Sequence, residues 1–578
     1  MVVPWIELNQ LNLVTPLLRR SHASHTSILI FRSTTPMTPL RPTSASLATN
    51  SPSISLEKGT YRMRAPHATS LQQPFPSKIF AQQQRKHSRT PNMTILVFLL
   101  TFSCVSCFGM AYYLFVTRWE TRVPFQQSYA HQQAEVVAMD SSERTTFDPD
   151  ERFLAYLPHS GFHNQRIAFE NALVLARFFN RTLLVPPIRL GYKPLRYVNF
   201  DALAQFLALS CKDGLRHCSR VVPHLPLPVE CTDYFAYTHL SWEWLVNLTE
   251  VKAHQRLIHR WNMTDDWVYE HLMIRDTDVL IIKDHTPYQY RFLDTATDTS
   301  PPNHKYVQSI FLPDLALSNQ RLIQLGTLFG SSRLRLKNST NISIRGRIRQ
   351  SMHYTNPTLV GVAQSISRSI GPAYLGVHLR LGDGRFQAHG EDNTRLIWWR
   401  IVREVLGYTV AEAQHLEWIF QASTAFSSRN KSSVPPITAD WNVTNSDLPY
   451  SHMWNRSPRG LRCRAGRHTQ SHLLRLNTPV FISTDIEEPA VHPLLRGFLR
   501  TFPCSFYLSD FPANIAPLEY LKNADDGIML RDFLLPFVDA MVVAQASTFV
   551  GTEQSTFSGF IKDVLWRTYH NKDIVQRG

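Results

Sequence analysis

The 578-residue chain has no internal repeat, which excludes solenoid and propeller arrays. It lacks a CxxC…CxxC pair, and its one CxxC, Cys104 and Cys107, falls inside an apolar run that does not suit a zinc site. Acidic residues are in deficit, 45 Asp and Glu against 60 Lys and Arg, for a formal net charge of +15. That excess is uneven. Residues 1–92 hold eleven Lys and Arg against Glu7 and Glu57, a net +9 that leaves only +6 for the rest. A nucleic-acid partner is therefore not indicated, because nucleic-acid domains concentrate their charge on a folded face.

Long apolar runs are also missing, with one exception. Residues 94–116 (TILVFLLTFSCVSCFGMAYYLFV) are 23 in number and carry no charge. A bilayer core about 30 Å thick needs about 20 such residues, so 93–117 reads as one transmembrane signal anchor. Arg85, Lys86 and Arg89 precede the run, which puts the N-terminal side in the cytosol and the bulk of the chain across the membrane. Residues 1–92, rich in Ser, Thr, Pro and Gln, read as a disordered basic cytosolic tail, with Met63 and Met93 as candidate alternative starts. Beyond the run stand eight N-x-[ST] sequons, at Asn180, Asn247, Asn262, Asn338, Asn341, Asn430, Asn442 and Asn455, and five cysteines. Both suit an oxidising lumen, with pairing expected within Cys211, Cys218 and Cys231 and between Cys463 and Cys504. The expected setting is the Golgi or endoplasmic reticulum membrane.

Residues 118–150 read as a polar stem, and globular texture begins near Arg152. Ile167, Asn171, Val174 and Phe178 recur at helical spacing, and Thr182-Leu183-Leu184-Val185 before two prolines reads as a strand. Loop, helix and strand in that order make one α/β unit. Residues 200–370 mix helical and strand signals, among them a strand near Val279–Ile282, in an order the sequence does not reveal. A second α/β block starts at Gly371, with strands expected at 374–381, 480–483 and 547–550, a helix at 396–420 and an all-apolar helix at 533–546. The Ser-, Asn- and Arg-rich stretch 423–471 reads as a surface insertion.

Three places carry candidate chemistry. Gly376-Val377-His378-Leu379-Arg380-Leu381-Gly382-Asp383 runs as a strand into a Gly-Asp turn, and ligands of open α/β sheets sit at the carboxyl ends of strands. A planar guanidinium there can hold diphosphate oxygens with two parallel hydrogen bonds; taken alone, Arg380 reads more readily as half of a structural ion pair. Near the C-terminus, Ser547-Thr548-Phe549-Val550-Gly551 leads through a polar loop to a helix start capped by Ser555, with Thr556 and Phe557 following. Amides and hydroxyls at a helix start favour phosphate oxygens, and ordinary capping explains the same residues. Asp539 upstream offers a carboxylate that could accept from guanine N–H groups. Finally, Gly161-Phe162-His163-Asn164-Gln165 opens the first helix as a turn that lets backbone approach a ligand.

Together these stretches resemble the GDP-fucose protein O-fucosyltransferase family, through GFHNQ and LARFFNRTLLVPP within 156–187, YLGVHLRLGD at 374–383, FISTD at 481–485 and DAMVVAQASTFVGTEQSTFSG at 539–559. The resemblance covers roughly a hundred residues and implies an α/β fold of two facing Rossmann-like domains (GT-B type). Residues 151–370 would form the acceptor side and 371–578 the nucleotide-sugar side. It implies inverting transfer of fucose from GDP-fucose to a protein or glycan hydroxyl, with no cofactor and no metal required. By position it gives His378 and Asp539 to guanine, and Arg380 to the β-phosphate and the departing GDP. Ser555, Thr556 and Phe557 would line the phosphate and nucleoside site, Gly161 and Phe162 would flank it, Asp485 would assist, and Asn164 would act at the reaction centre. His163 departs from the protein-modifying branch, which has glycine there, so the acceptor is open.

Rival readings use other features. Asp148/Asp150 and Asp276/Asp278 have the DxD spacing of manganese-dependent transferases. A non-catalytic membrane-tethered protein that binds glycans or clients, or a transferase using another nucleotide sugar, would keep much the same site.

Overall fold

The computed structural model describes residues 101–110, 136–137, 148, 150–222, 225–295, 305–421, 444–445 and 461–576. The basic tail, most of the expected stem and most of 423–471 lie outside the described residues, as does most of the expected membrane span. Residues 101–110 of that span are helical and exposed. Among the described residues no helix is long and apolar enough to cross a membrane.

From Val136 onward the chain forms one compact mixed α/β unit. The expected stem is not free throughout: Val136–Val137 pairs in parallel with Lys522–Asn523. Five short strands build the first sheet: β1 (Phe153–Tyr156), β2 (Thr182–Val185), β3 (Leu257–His259), β4 (Val279–Ile282) and β5 (Leu322–Leu325). They are all parallel in the order β3-β2-β1-β5-β4. β1, β2 and β5 are buried at every position, which is why they are mainly apolar without alternation, Thr182 and Gln324 being the polar exceptions. Helix α1 (Phe162–Phe179) joins β1 to β2. It stops where Asn180 turns left-handed (φ 51°) and returns its N–H to the carbonyls of Ala176 and Arg177, a conformation asparagine tolerates better than most residues.

Helix α2 (Pro357–Ile370) leads into the second sheet, made of β6 (Leu375–Leu379), β7 (Val480–Thr484), β8 (Ser505–Phe506) and β9 (Thr548–Gly551). These are parallel in the order β9-β6-β7-β8. Inside the stretch expected to be a surface insertion, Thr444–Asn445 adds an antiparallel edge to β9, which covers a strand edge that would otherwise be open. Helix α3 (Arg531–Gln545) lies on β6 and β7. Gly376 permits this contact, since a Cβ there would stand 2.4 Å from the Val543 carbonyl oxygen. The helix expected at 396–420 is interrupted: Gly390–Arg400 passes into a π-turn at Ile401–Val405, and Gly407 (φ 71°) ends it before Val410–Gln421 begins.

Residues 151–370 carry the first sheet, with a three-stranded sheet at Tyr290–Leu293, Gln308–Phe311 and Leu334–Arg335 and a hairpin-like pair at Ile188–Gly191 and Tyr237–Leu240, and residues 371–578 carry the second, yet the apolar core does not divide at 370. One cluster runs from Leu154 and Phe169 through Ile366 and Phe537 to Trp566. A second gathers Val377, Trp398 and Val480 on the far face of the second sheet. Disulfides join Cys218 to Cys231 and Cys463 to Cys504, and Cys211 is free. Of the described sequons, Asn180, Asn247 and Asn338 are exposed. Asn262 and Asn341 are half-buried, with Asn341 Nδ2 donating to Asp294 Oδ2 at 3.1 Å.

Candidate functional site

In the second sheet the chain runs outward from β6 to β7 and β8 on one side and returns to β9 on the other, so the strand order reverses between β6 and β9. Crevices form at such points because the connections leave the carboxyl ends in opposite directions. The HxR stretch ends here. His378 is on β6, and Arg380 follows its last residue. Thr552, one residue past β9, ties the two together: its Oγ1 donates to the His378 carbonyl at 3.1 Å and accepts from the Arg380 N–H at 2.9 Å.

His378 is buried, with Nδ1 2.6 Å from Ser558 Oγ and its ring 4.5 Å from that of Phe557. Burial, helped by the charge of Arg380, lowers its pKa to about 3, so the imidazole is neutral at physiological pH. Ser558 belongs to α4 (Thr556–Phe560), whose cap is Ser555: the Ser555 Oγ accepts the Ser558 N–H at 3.3 Å. Ordinary capping is therefore present in the Ser/Thr cluster.

Arg380 keeps about a third of its side chain in solvent and is held by two carboxylates. Its Nη2 lies 2.6 Å from Asp383 Oδ2 and its Nε 3.2 Å from Asp485 Oδ2. The structural ion pair anticipated as an alternative is therefore present, and it orients the guanidinium. Asp485 also accepts the Leu381 N–H through Oδ1 at 2.8 Å. With one oxygen on Arg380 and the other on the Leu381 N–H, Asp485 positions the end of the HxR strand. Gly382 makes room for it, since a Cβ at 382 would come within 2.8 Å of Asp485 Oδ2.

Asp539 projects from α3 and shares a hydrogen bond with Ser483, the residue paired with His378 across β6 and β7. Burial pushes its pKa up to about 7, and its Oδ1 is out of solvent contact without a hydrogen-bond partner. The start of α1 closes the site from the other sheet. The His163 ring lies 4.7 Å from that of Phe557, its Nδ1 is buried and unpartnered, and burial with the nearby Arg166, His378 and Arg380 holds its pKa well below the usual value. Asn164 Oδ1 is buried and unpartnered as well. Asp539 Oδ1, His163 Nδ1 and Asn164 Oδ1 are thus three buried polar atoms without partners among the candidate site residues, where buried polar atoms usually have them.

Two expected residues have other roles. Gly161 has φ −73°, which any residue adopts, and a Cβ there would meet nothing; the left-handed position in this turn is Ser160 (φ 67°). Phe162 is an anchor, its ring 4.7 Å from Phe537 and 5.8 Å from Trp242, and it pins α1 to α3. Thr556 is exposed on the first turn of α4. Thr552, Ser558 and His163 stand inside the quoted motifs, but only their contacts in the fold bring them to the site. Arg385, which no local pattern marks, reaches the Gln554 carbonyl through Nη2 at 3.4 Å and adds a second cation beside the loop. Of the acidic pairs, Asp276 and Asp278 form a turn at the amino end of β4, the opposite end of the sheet from any ligand crevice, and Asp148 and Asp150 are exposed.

No protein-family model matches the chain. It is similar to the curated O-fucosyltransferase 30 of Arabidopsis thaliana, with 58% identity over 38 residues, 7% of this chain and 8% of that relative. Similar solved structures are POFUT1 in complex with GDP (12% identity, 72% of this chain and 95% of that one, TM-score 0.29) and POFUT1 in complex with GDP-fucose (12% identity, 72% and 94%, TM-score 0.28). The chain thus spans less than a tenth of the length of the curated relative it matches.

Proposed function

We propose that the protein is a glycosyltransferase that moves fucose from GDP-fucose to a protein or glycan hydroxyl, with inversion and without a metal. One observation carries this reading. At the reversal between β6 and β9, an oriented guanidinium, a capped helix start and buried polar atoms lacking partners converge. The short identity with an O-fucosyltransferase supports the choice of sugar.

In the proposed reaction GDP departs and negative charge grows on its β-phosphate as the sugar gains oxocarbenium character. Arg380 would bind that oxygen more tightly in the transition state than in the ground state, which accelerates the step. To do so it exchanges one of its two carboxylates for phosphate. The α4 start with Ser555 and Thr556 would hold the remaining oxygens, and Asp539 and His378 would read the base. Asn164 would orient the acceptor hydroxyl. The two sheets would correspond to the two facing domains of a GT-B transferase. Residues 93–117 would anchor the protein in the Golgi or endoplasmic reticulum membrane. The two disulfides and the exposed sequons support a lumenal setting for the compact unit.

The test is GDP release by the full-length protein from GDP-fucose and other nucleotide sugars, wild type against Arg380→Ala, with and without EDTA. EDTA-resistant release from GDP-fucose alone, reduced about a hundredfold or more in the variant, is expected. GDP binding with no release from any donor, even with acceptor mixtures added, would favour the binding-protein reading.

A further inference from the structure

A second concave site lies over the first sheet. A pocket open to solvent is lined by residues just past three strands: Pro158 after β1, Pro186 and Pro187 after β2, Trp261 and Met263 after β3. These are carboxyl ends of parallel strands, where crevices of such sheets take ligands. The pocket adjoins the candidate donor site through the turn between β1 and α1. Ser160 lines it, and Gln165 clamps that turn by donating to the Ser160 carbonyl (3.1 Å) and the Arg189 carbonyl (2.8 Å). His163 and Asn164, on the same first turn of α1, belong to the donor side.

The chemistry of the lining narrows the ligand. Arg189, Lys212 and Arg216 are balanced by Asp213, Asp525 and Asp526. Lys212 is buried against Asp526 at 3.0 Å, and Arg216 pairs with Asp213 at 3.3 Å. Burial holds His159 and His239 neutral, with pKa values of about 4 and about 3. The pocket therefore offers no surplus charge to an ionic ligand. Two N–H donors on side chains of this wall have no acceptor in the unliganded fold, Trp261 Nε1 and Arg189 Nε; both lie just beneath the surface, so a ligand oxygen reaches them only when these side chains turn outward. A buried unpaired donor costs about 1–3 kcal/mol, so each favours a ligand that brings an oxygen. The indole is held by stacking on His259, centroids 5.5 Å apart and planes 19° apart. Much of the remaining wall is proline, Leu195 and Leu207. Prolines have no N–H with which to pair an extended peptide, so main-chain recognition is poorly served here.

We propose that this pocket binds the acceptor, and that the acceptor is a neutral oligosaccharide whose C–H faces lie on Trp261 and the prolines and whose oxygens take the two orphaned donors. This rests on the transferase reading above, but binding is measured without any donor, so the two can fail separately. Saturation-transfer NMR on the full-length protein would use galactotetraose, mannotetraose, cellotetraose and xylotetraose as probes. Tetragalacturonate and a serine- and threonine-rich peptide serve as the charged and protein alternatives. At least one neutral tetrasaccharide should bind, and Trp261→Ala should weaken it about tenfold or more. Trp261→Phe keeps an aromatic face without the N–H and should weaken it less. GDP affinity should be the same in both variants, which reports an intact fold. Tighter binding of tetragalacturonate or of the peptide would overturn the proposal. So would neutral-sugar binding insensitive to Trp261, or no neutral-sugar binding by protein that still binds GDP.

Discussion

Asp539→Asn should stabilise the free protein and weaken its donor, because the same burial governs both. The carboxyl pKa rises from 3.8 to about 7 on folding. Below pH 3.8 it is protonated in both states and has no effect. Between 3.8 and 7 the unfolded chain releases the proton while the folded one keeps it, so stability falls as pH rises, and above 7 the cost is complete. A shift of about three units corresponds to up to about 4 kcal/mol. The variant should therefore melt higher than wild type at pH 8, with the gap closing towards pH 4. Donor N–H groups would favour the ionised form, so binding GDP-fucose, whose pyrophosphate does not titrate in this range, should expel the proton. Calorimetry at pH 7 in two buffers of different ionisation enthalpy should find about half a proton released. The wild-type Kd should fall about tenfold from pH 6 to pH 8, and the variant should bind weakly with no pH dependence. A flat wild-type profile without proton release, or a variant that binds as tightly, would refute the assignment of Asp539 to the base.

Gly382→Ala should damage turnover without touching any ligand. Its Cβ would crowd Asp485 Oδ2 and shift the carboxylate that orients Arg380, so kcat should fall about tenfold or more while GDP affinity changes less, as steady-state kinetics and calorimetry would report. Cys463→Ser opens a link spanning 41 residues that ties the end of the 423–471 stretch to β8. Chain-entropy arguments give about 4 kcal/mol of lost stability, readable as a lower Tm without reductant, while with reductant, which also opens Cys218–Cys231 in both proteins, wild type and variant should melt together.

Much of the second sheet was legible in the sequence, since its strands are buried on both faces and announce themselves as apolar runs between Gly, Pro and Ser punctuation. The single helix expected at 396–420 failed for a local reason, Gly407 in a left-handed conformation, which apolar periodicity does not register. The strand at Thr444–Asn445 was hidden because two polar residues acquire strand geometry only from the β9 edge beside them. In the site, the HxR strand end and the Ser555 cap were readable from short-range pattern. Other roles were not. That Asp485 holds Arg380 and the Leu381 N–H, and that Phe162 packs on Phe537, shows only in the fold.

The sequence alone determined the local elements and the chemical types at their ends, because propensity, capping and apolar spacing act within a few residues. Only the tertiary structure decided which ends meet. His163 reaches Phe557, Ser483 carries Asp539 beside His378, and the carboxyl ends of β1, β2 and β3 enclose a pocket whose charges cancel. Each of these depends on contacts tens to hundreds of residues apart in the chain. Their partners are selected by the packing of whole sheets, and no local pattern carries that information.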